Sequence, residues 1–327
     1  MHRENPDIIM GYNIFGFDYE FMYHRAIECD CLEEFLVLSK NKDEICGVYD
    51  VKRQIYDIDR SSITISTGTY DLAIIKMPGR LQVDMLNYFR RNTNRSSYKL
   101  DSVSSEIIGD GVTGKEFILH NDENSSVIRC QTKNMVGLDV DCFVHFILEN
   151  HSTQYFNKGQ KYRVVQLNKA EKWFEVEGMT EELLTGLTAQ NVKWGLAKDD
   201  VSPKDIFRLT RQGPDSRAIV AKYCIQDCNL VHHLFNKTDV LTGLSEMARL
   251  CSVPMSYLIF RGQGIKLTSF LGKKCRERGI LMPVIRKGRR NESYEGALVL
   301  DPKTGIYLQD GVAVGDFSFF VSIGNAI

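Results

Sequence analysis

The sequence has 327 residues, 43% of them apolar and 25% charged, with a formal net charge of −1. These values fit about two folded domains with a real core, and they exclude a uniformly basic nucleic-acid coat, so any nucleic-acid surface has to be a local patch. No apolar run is long enough to span a bilayer, no secretory signal follows Met1, and the nine cysteines contain no Cys-x-x-Cys pair, so an intracellular protein with thiols acting as small buried hydrophobes is expected.

The first element is a buried strand from Asp7. It turns at Gly11 and Gly16 into an amphipathic helix over about 19–28. Residues 47–80, rich in Val, Ile, Thr and Tyr with polar alternation, predict β-strands. Gly79–Leu86 passes from strand to helix, which runs to about Arg91 and is broken by Asn92–Ser97. A further helix follows Leu100-Asp101-Ser102-Val103. Residues 110–200 carry short strand-like runs and no catalytic cluster, and they read as a β-rich insertion. Two helices, 216–237 and 239–250, come next. A Gly- and Lys/Arg-rich stretch covers 261–290, and a hairpin with a final strand is expected from Tyr294 to Ile323.

Several constellations along this path have chemical meaning. Asn13-Ile14-Phe15-Gly16-Phe17-Asp18 falls where a strand ends, the usual ligand-binding edge of an α/β sheet. An Asp there can hold Mg²⁺, which needs only one or two carboxylates beside its waters. Asn13 and Phe17 can hydrogen-bond and stack a nucleotide. The competing reading is a turn Asn and a helix N-cap Asp. Tyr223 and Asp227, at i and i+4, share one helix face. The carboxylate can bind a metal and the phenol can orient a water, as two-metal phosphodiester hydrolysis requires; an exposed helix pair is the plain alternative. Ten Lys/Arg stand against one acid, Glu277, between Arg261 and Arg290. Such a block suits a phosphate backbone, or else a solvated helix face. Tyr294-Glu295-Gly296-Ala297 reads as a close backbone approach to a ligand or a simple hairpin, and Asp316 stands at the end of the apolar run 312–314. His232-His233 lacks partners at ligand spacing and reads as structural.

Together, and in this order, these features resemble the B-family DNA polymerases. Asn13 to Asp18 is similar to the second exonuclease motif, Asn-x-x-x-Phe-Asp, and Tyr223 with Asp227 to the third, Tyr-x-x-x-Asp. Gly79-Arg80, Asp84-Met85-Leu86, Ser97–Val103 and Arg261-Gly262-Gln263 with Ile265-Lys266 resemble segments of the eukaryotic delta-type enzymes. Tyr294, Gly296 and Ala297 match Tyr-x-Gly-Gly/Ala, and Asp316-Phe317 opens what looks like the first palm motif. The variant resembles polymerases of large DNA viruses of eukaryotes. The resemblance covers about 1–108 and 215–323.

The resemblance implies an α/β, ribonuclease-H-like 3′→5′ exonuclease domain over 1–109 and 201–250, with the β-rich insertion at 110–200, followed by a partial polymerase palm over 251–327. It implies that Asp18 and Asp227 hold exonuclease metals, that Tyr223 positions the water, and that Asp316 binds polymerase metals. Asn13 and Phe17 would grip the unpaired 3′ end, while Arg261, Gln263, Lys266, Tyr294 and Gly296 would contact DNA. Mg²⁺ is the expected cofactor in two-metal sites. The expected partners are template–primer DNA, a single-stranded 3′ end and dNTP, with a sliding clamp or a second polymerase chain beyond them. No membrane is involved, and the setting is a host nucleus or cytoplasmic replication site if the protein is viral.

Departures from the family pattern temper this. The Asp-x-Glu motif expected several dozen residues before Asn13 is not in the 12 residues that precede it, and the later palm motif, fingers and thumb are missing. The palm motif fits only with one residue omitted after Asp316, and with Phe320 and Val321 in place of Tyr and Pro. Both ends therefore read as cut, and the chain alone is expected to be inactive or weak. A complementing half of a split polymerase and a non-catalytic DNA-binding remnant are the alternatives.

Overall fold

A strand that rises from the first residues finds its partner more than seventy positions later. In the computed structural model, which describes residues 1–65, 68–120, 125–149, 153–178, 191–198 and 202–282, β1 (Ile8–Gly11) pairs in parallel with β6 (Leu81–Asp84), placing Gly11 opposite Asp84. The chain divides into two units, Met1–Lys274 and Cys275–Ile327. The strands and helices up to Phe260 described below belong to the first. Tyr294, Gly296, Ala297 and Asp316, with the expected hairpin and palm strand, lie outside the described residues.

After β1 come a π-helical turn, Ile14–Asp18, then α1 (Tyr19–Glu28) and the short α2 (Leu32–Leu36). Two hairpins follow, β2 (Val48–Asp50) with β3 (Ile55–Asp57), and β4 (Asp59–Ile65) with β5 (Gly68–Ile74). The apolar faces of these elements make one core around Phe15, Tyr19, Leu36 and Ile75. After β6 the chain enters α3 (Met85–Asn92) and α4 (Leu100–Ile107). Asp84 caps α3: it has extended backbone angles, and its side chain accepts the Leu86 N–H.

The β-rich stretch closes on itself. Strands β7 (Gly109–His120), β8 (Ser125–Thr132), β9 (Phe143–Glu149), β11 (Tyr162–Asn168), β12 (Trp173–Glu177) and β13 (Val192–Ala197) pair antiparallel in the circuit β7–β8–β12–β11–β9–β13–β7, and β10 (Thr153–Tyr155) adds to β9. Closure of a sheet removes exposed edges. Alternate residues point inward, as strand geometry requires: Ile128, Phe146, Val164, Phe174 and Trp194 are all buried. The Trp194 indole N–H donates to Thr132 Oγ1 at 2.9 Å, so its one polar atom is satisfied inside. Helix α4 rests on β13, where the Ser104 hydroxyl donates to the Leu196 carbonyl at 3.1 Å.

Five helices follow: α5 (Pro203–Gln212), α6 (Pro214–Lys237), α7 (Val240–Cys251), α8 (Met255–Phe260) and α9 (Gln263–Glu277). α6 and α7 match the two helices expected from periodicity. α5 was not anticipated, although Ser202 followed by Pro203 is an N-terminal signal; Ser202 Oγ accepts the Asp205 N–H at 3.2 Å. α6 packs against α4 and β1, burying Leu230, Val231, Leu234 and Phe235. No helix among the described residues is long and apolar enough to cross a membrane.

Candidate active site

The turn that carries Asp18 is held from below by a single carboxylate. Asp84, 2% exposed at the end of β6, accepts four N–H groups. Its Oδ1 takes the backbone N–H of Asn13 at 2.8 Å and of Leu86 at 3.0 Å; its Oδ2 takes the Phe15 N–H at 3.2 Å and the Asn87 side-chain amide at 3.2 Å. Burial pushes the Asp84 carboxyl up, and the same hydrogen bonds pull it back. One side chain thus joins the start of α3 to the end of β1, and the sequence reading assigned it no such role. A polar residue between the end of a strand and the start of a helix is an N-cap signal, but only the β1–β6 pairing shows that the same carboxylate also holds the turn 69–71 residues earlier.

Asn13 is left-handed, φ 67° and ψ 26°, a conformation Asn tolerates. Its carbonyl accepts the N–H groups of Gly16 and Phe17 at 3.1 and 3.0 Å, which shapes the turn. A Cβ on Gly16 would collide with the Asn13 side-chain oxygen, so the glycine leaves room for that amide. Phe15 plugs the turn into the core against Tyr19 and Phe260. The N-cap alternative for Asp18 does not hold: its backbone is helical, φ −64° and ψ −43°, and its side chain makes no cap hydrogen bond. It is partly buried, and that burial pushes its carboxyl up while a bond to its own backbone N–H pulls it down.

Tyr223 and Asp227 lie one turn apart on α6, and between them reaches a residue that sequence reasoning passed over. Lys198 follows β13 directly. Its ammonium sits 2.7 Å from Asp227 Oδ2 and 4.9 Å from the centre of the Tyr223 ring. Burial lowers the Lys198 pKa, but the bonds to Asp227 and Tyr223 outweigh it and leave it raised. The Tyr223 phenol is also raised, first by burial and then by the nearby Asp227 charge, with Lys198 opposing. Asp227 Oδ1 is buried with no hydrogen-bond partner among the described residues.

Asp227 and, last in order of effect, Asp18 both bear on one thiol of α6. The Cys228 thiol is pushed up by burial, and the charges of Asp227, Cys224 and Asp18 all add to the shift. Two carboxylates from elements more than two hundred residues apart therefore act on the same sulfur. No group of three or more His, Cys, Asp or Glu side chains placed to hold a metal ion occurs among the described residues, so a cation held by Asp18 and Asp227 would complete its shell with waters or substrate oxygens. That suits a hard divalent ion such as Mg²⁺. The orphaned, buried Oδ1 of Asp227 fits such a ligand, because an unpaired buried acceptor costs about 1–3 kcal/mol.

Lys198 is itself fixed from behind. Asp101, on α4, accepts the Lys198 backbone N–H at 2.7 Å, and its other oxygen lies 3.3 Å from Lys161 and 3.5 Å from His145 Nε2. Lys161 donates in turn to the Lys198 carbonyl at 2.6 Å. Burial acts to raise the Asp101 carboxyl, but the bonds from His145 and the Lys198 N–H, with the charge of Lys161, hold it down at about 2.

Arg261, Gln263 and Lys266 come together elsewhere. With Asn87, Arg91 and Asn92 they line a cavity of about 520 Å³ that backs onto Phe15 and Asp84. Arg91 is committed to structure there, donating to the carbonyls of Leu258 and Ile259. Arg261 lies over the Tyr257 ring at 5.7 Å.

Residues 1–103 match the model for the exonuclease domain of DNA polymerase family B, and residues 253–323 match the model for DNA polymerase family B. A DNA polymerase of Phaeocystis pouchetii virus is 45% identical over 318 residues, which is 97% of this chain and 30% of that protein. A DNA polymerase of Pyramimonas orientalis virus is 35% identical over 97% of this chain and 24% of its own length. The DNA polymerase delta catalytic subunit of Candida albicans is 26% identical over 97% of this chain and 21% of its own length. The chain thus spans less than a third of the relatives it matches. Because the alignments run through nearly all of it, they include the β-rich stretch, which the sequence resemblance had left uncovered.

Proposed function

Because the chain belongs to the family B DNA polymerases, we propose that it is part of a template-directed DNA polymerase and that the turn 13–18 and helix α6 form its 3′→5′ proofreading site, on a ribonuclease-H-like exonuclease domain. The observation that carries this reading is the buried Asp227 Oδ1, without a partner among the described residues, on the helix face that Asp227 shares with Tyr223 around the Lys198 ammonium; the charge of Asp18 adds to the upward shift of the neighbouring Cys228 thiol. Asp18 and Asp227 would hold the divalent cation. When bound, the cation supplies charge stabilisation for attacking and leaving oxygens in phosphodiester hydrolysis. Lys198 holds Asp227 through Oδ2, and the other oxygen, Oδ1, would be the one to meet the cation. The Tyr223 phenol orients the attacking water, and Asn13 and Phe17 hold the frayed 3′ nucleotide. Arg261, Gln263 and Lys266 meet the template–primer; in the polymerase reaction Asp316 would bind the metals that accompany dNTP. A clamp or a second polymerase chain completes the assembly.

The test is metal binding followed by excision. Tb³⁺, a luminescent stand-in for hard divalent ions, should bind the chain and be displaced by Mg²⁺. Asp18→Ala and Asp227→Ala should each weaken that binding by tenfold or more. Excision of a single-stranded 3′ end by the chain alone should be slow, and Asp227→Ala should abolish what there is. Tb³⁺ binding indifferent to both substitutions would defeat the site assignment. Salt-sensitive, metal-independent DNA binding without excision would favour the non-catalytic remnant.

A further inference from the structure

Two large aromatic side chains beside Asp18 are left in solvent. Phe17 is 60% exposed and Phe21 58%. Their rings are stacked, with centroids 5.8 Å apart and planes only 14° from parallel. A pair at this separation is offset, so the two rings present a stepped, flat surface rather than closing on each other. Phe17 is the last residue but one of the π-helical turn and Phe21 the third residue of α1, four positions on, so both occupy one helix face. Arg25, a further turn along, extends the stripe with a guanidinium that donates to the exposed Glu28 carboxylate. An exposed pair of that kind holds its members weakly, about 0–1 kcal/mol, so Arg25 can exchange it for a phosphate.

Among the described residues, neither ring belongs to a buried core cluster. The core beneath α1 is made by Tyr19, Tyr23 and Ala26 on the other side of the helix. Keeping two phenyl rings parallel and wet calls for a ligand with flat apolar faces and a charged backbone, which describes an unpaired nucleic-acid strand.

The geometry points to Phe21 as the stacking partner of the penultimate base of the unpaired 3′ strand, with Arg25 meeting the phosphate beyond it. The inference rests on the proofreading reading, in which Phe17 holds the terminal nucleotide. It assigns a side chain to the penultimate base, a second subsite beside the one at the terminal base.

The experiment uses the whole chain and single-stranded oligonucleotides carrying 2-aminopurine at either the last or the penultimate 3′ position, with fluorescence read on titration without metal. Phe21→Ala should weaken binding about 5- to 100-fold, the equivalent of one base stack, and should change the penultimate probe far more than the terminal one. Phe21→Trp should restore affinity, Arg25→Gln should flatten the salt dependence, and thermal unfolding should be unchanged because the ring is exposed. If Phe17→Ala weakens binding while Phe21→Ala leaves affinity and the penultimate probe unchanged, the second subsite is wrong and the proofreading reading stands. If neither substitution matters, the proofreading reading falls with it. If Phe21→Ala instead changes the sedimentation of the protein alone, the face is a contact between copies and the subsite is overturned.

Discussion

Replacing Asp84 by alanine would strip four N–H groups of their acceptor at once. Two of these, from Asn13 and Phe15, shape the turn under Asp18; the others, from Leu86 and Asn87, belong to the first turn of α3. Hydrogen bonds to a charged group contribute about 1.5–3 kcal/mol each, but they are not additive and part offsets the cost of burying the carboxylate. The expected net loss for Asp84→Ala is therefore about 3–5 kcal/mol, at the top of the range for single substitutions. Asp84→Asn is the more instructive variant. Its carbonyl can still serve the Asn13 and Leu86 N–H groups, and Asn87 can turn its own oxygen toward the new amide. Only the Phe15 N–H then lacks a partner, so about 2 kcal/mol should be lost. Urea unfolding monitored by tryptophan and far-ultraviolet signals gives both values, and hydrogen exchange reports whether the amides of Asn13, Phe15 and Leu86 lose protection together. A cost below about 1 kcal/mol for Asp84→Ala, with exchange at Asn13 and Phe15 unaltered, would refute the claim that this carboxylate builds the turn.

Asp101 should show itself on acid titration. Its carboxyl lies at about 2 instead of the usual 3.8, and a group held below its unfolded value gives stability that is complete above about pH 4 and fades as pH falls toward 2. Asp101→Asn should remove about 1–2 kcal/mol at pH 7, allowing for partial exposure, and little at pH 2, as unfolding curves at the two pH values will show. Gly195→Ala should cost about 2–4 kcal/mol in the same assay, because its new methyl group would strike the backbone carbonyl of Ser105 where α4 rests on β13. Lys198→Met should leave the Asp227 carboxylate without its counter-charge. Stability should drop by about 1–2 kcal/mol without cation and recover when Tb³⁺ or Mg²⁺ is added, measured by thermal unfolding with and without the ion.

The two segments of the proposed site were legible in the sequence because each is local. A strand running into Asn13–Asp18 and a helix carrying Tyr223 and Asp227 announce themselves by spacing. Lys198 could not be found that way: it is a single lysine at the end of a strand, and only the fold carries it to Asp227, 29 positions on. Asp84 has the same history, since its two outer partners depend on the parallel pairing of β1 with β6. The N-cap alternative for Asp18 failed because the turn is π-helical and runs straight into α1, leaving no extended residue to cap it. Strand character in 110–200 was readable from alternation, whereas the closed circuit depends on which strands meet, and alternation says nothing about that.

The closed circuit has a further consequence. The chain enters it through β7 and leaves through β13, and these strands are bonded neighbours, with Gly109 opposite Gly195. The excursion therefore begins and ends at nearly one point, and the positions of α4 and Lys198 are set at its root. Entry and exit are thus clamped to each other by the sheet's own hydrogen bonds, and the stretch between them can change in length while α4 and Lys198 keep their footing on β13.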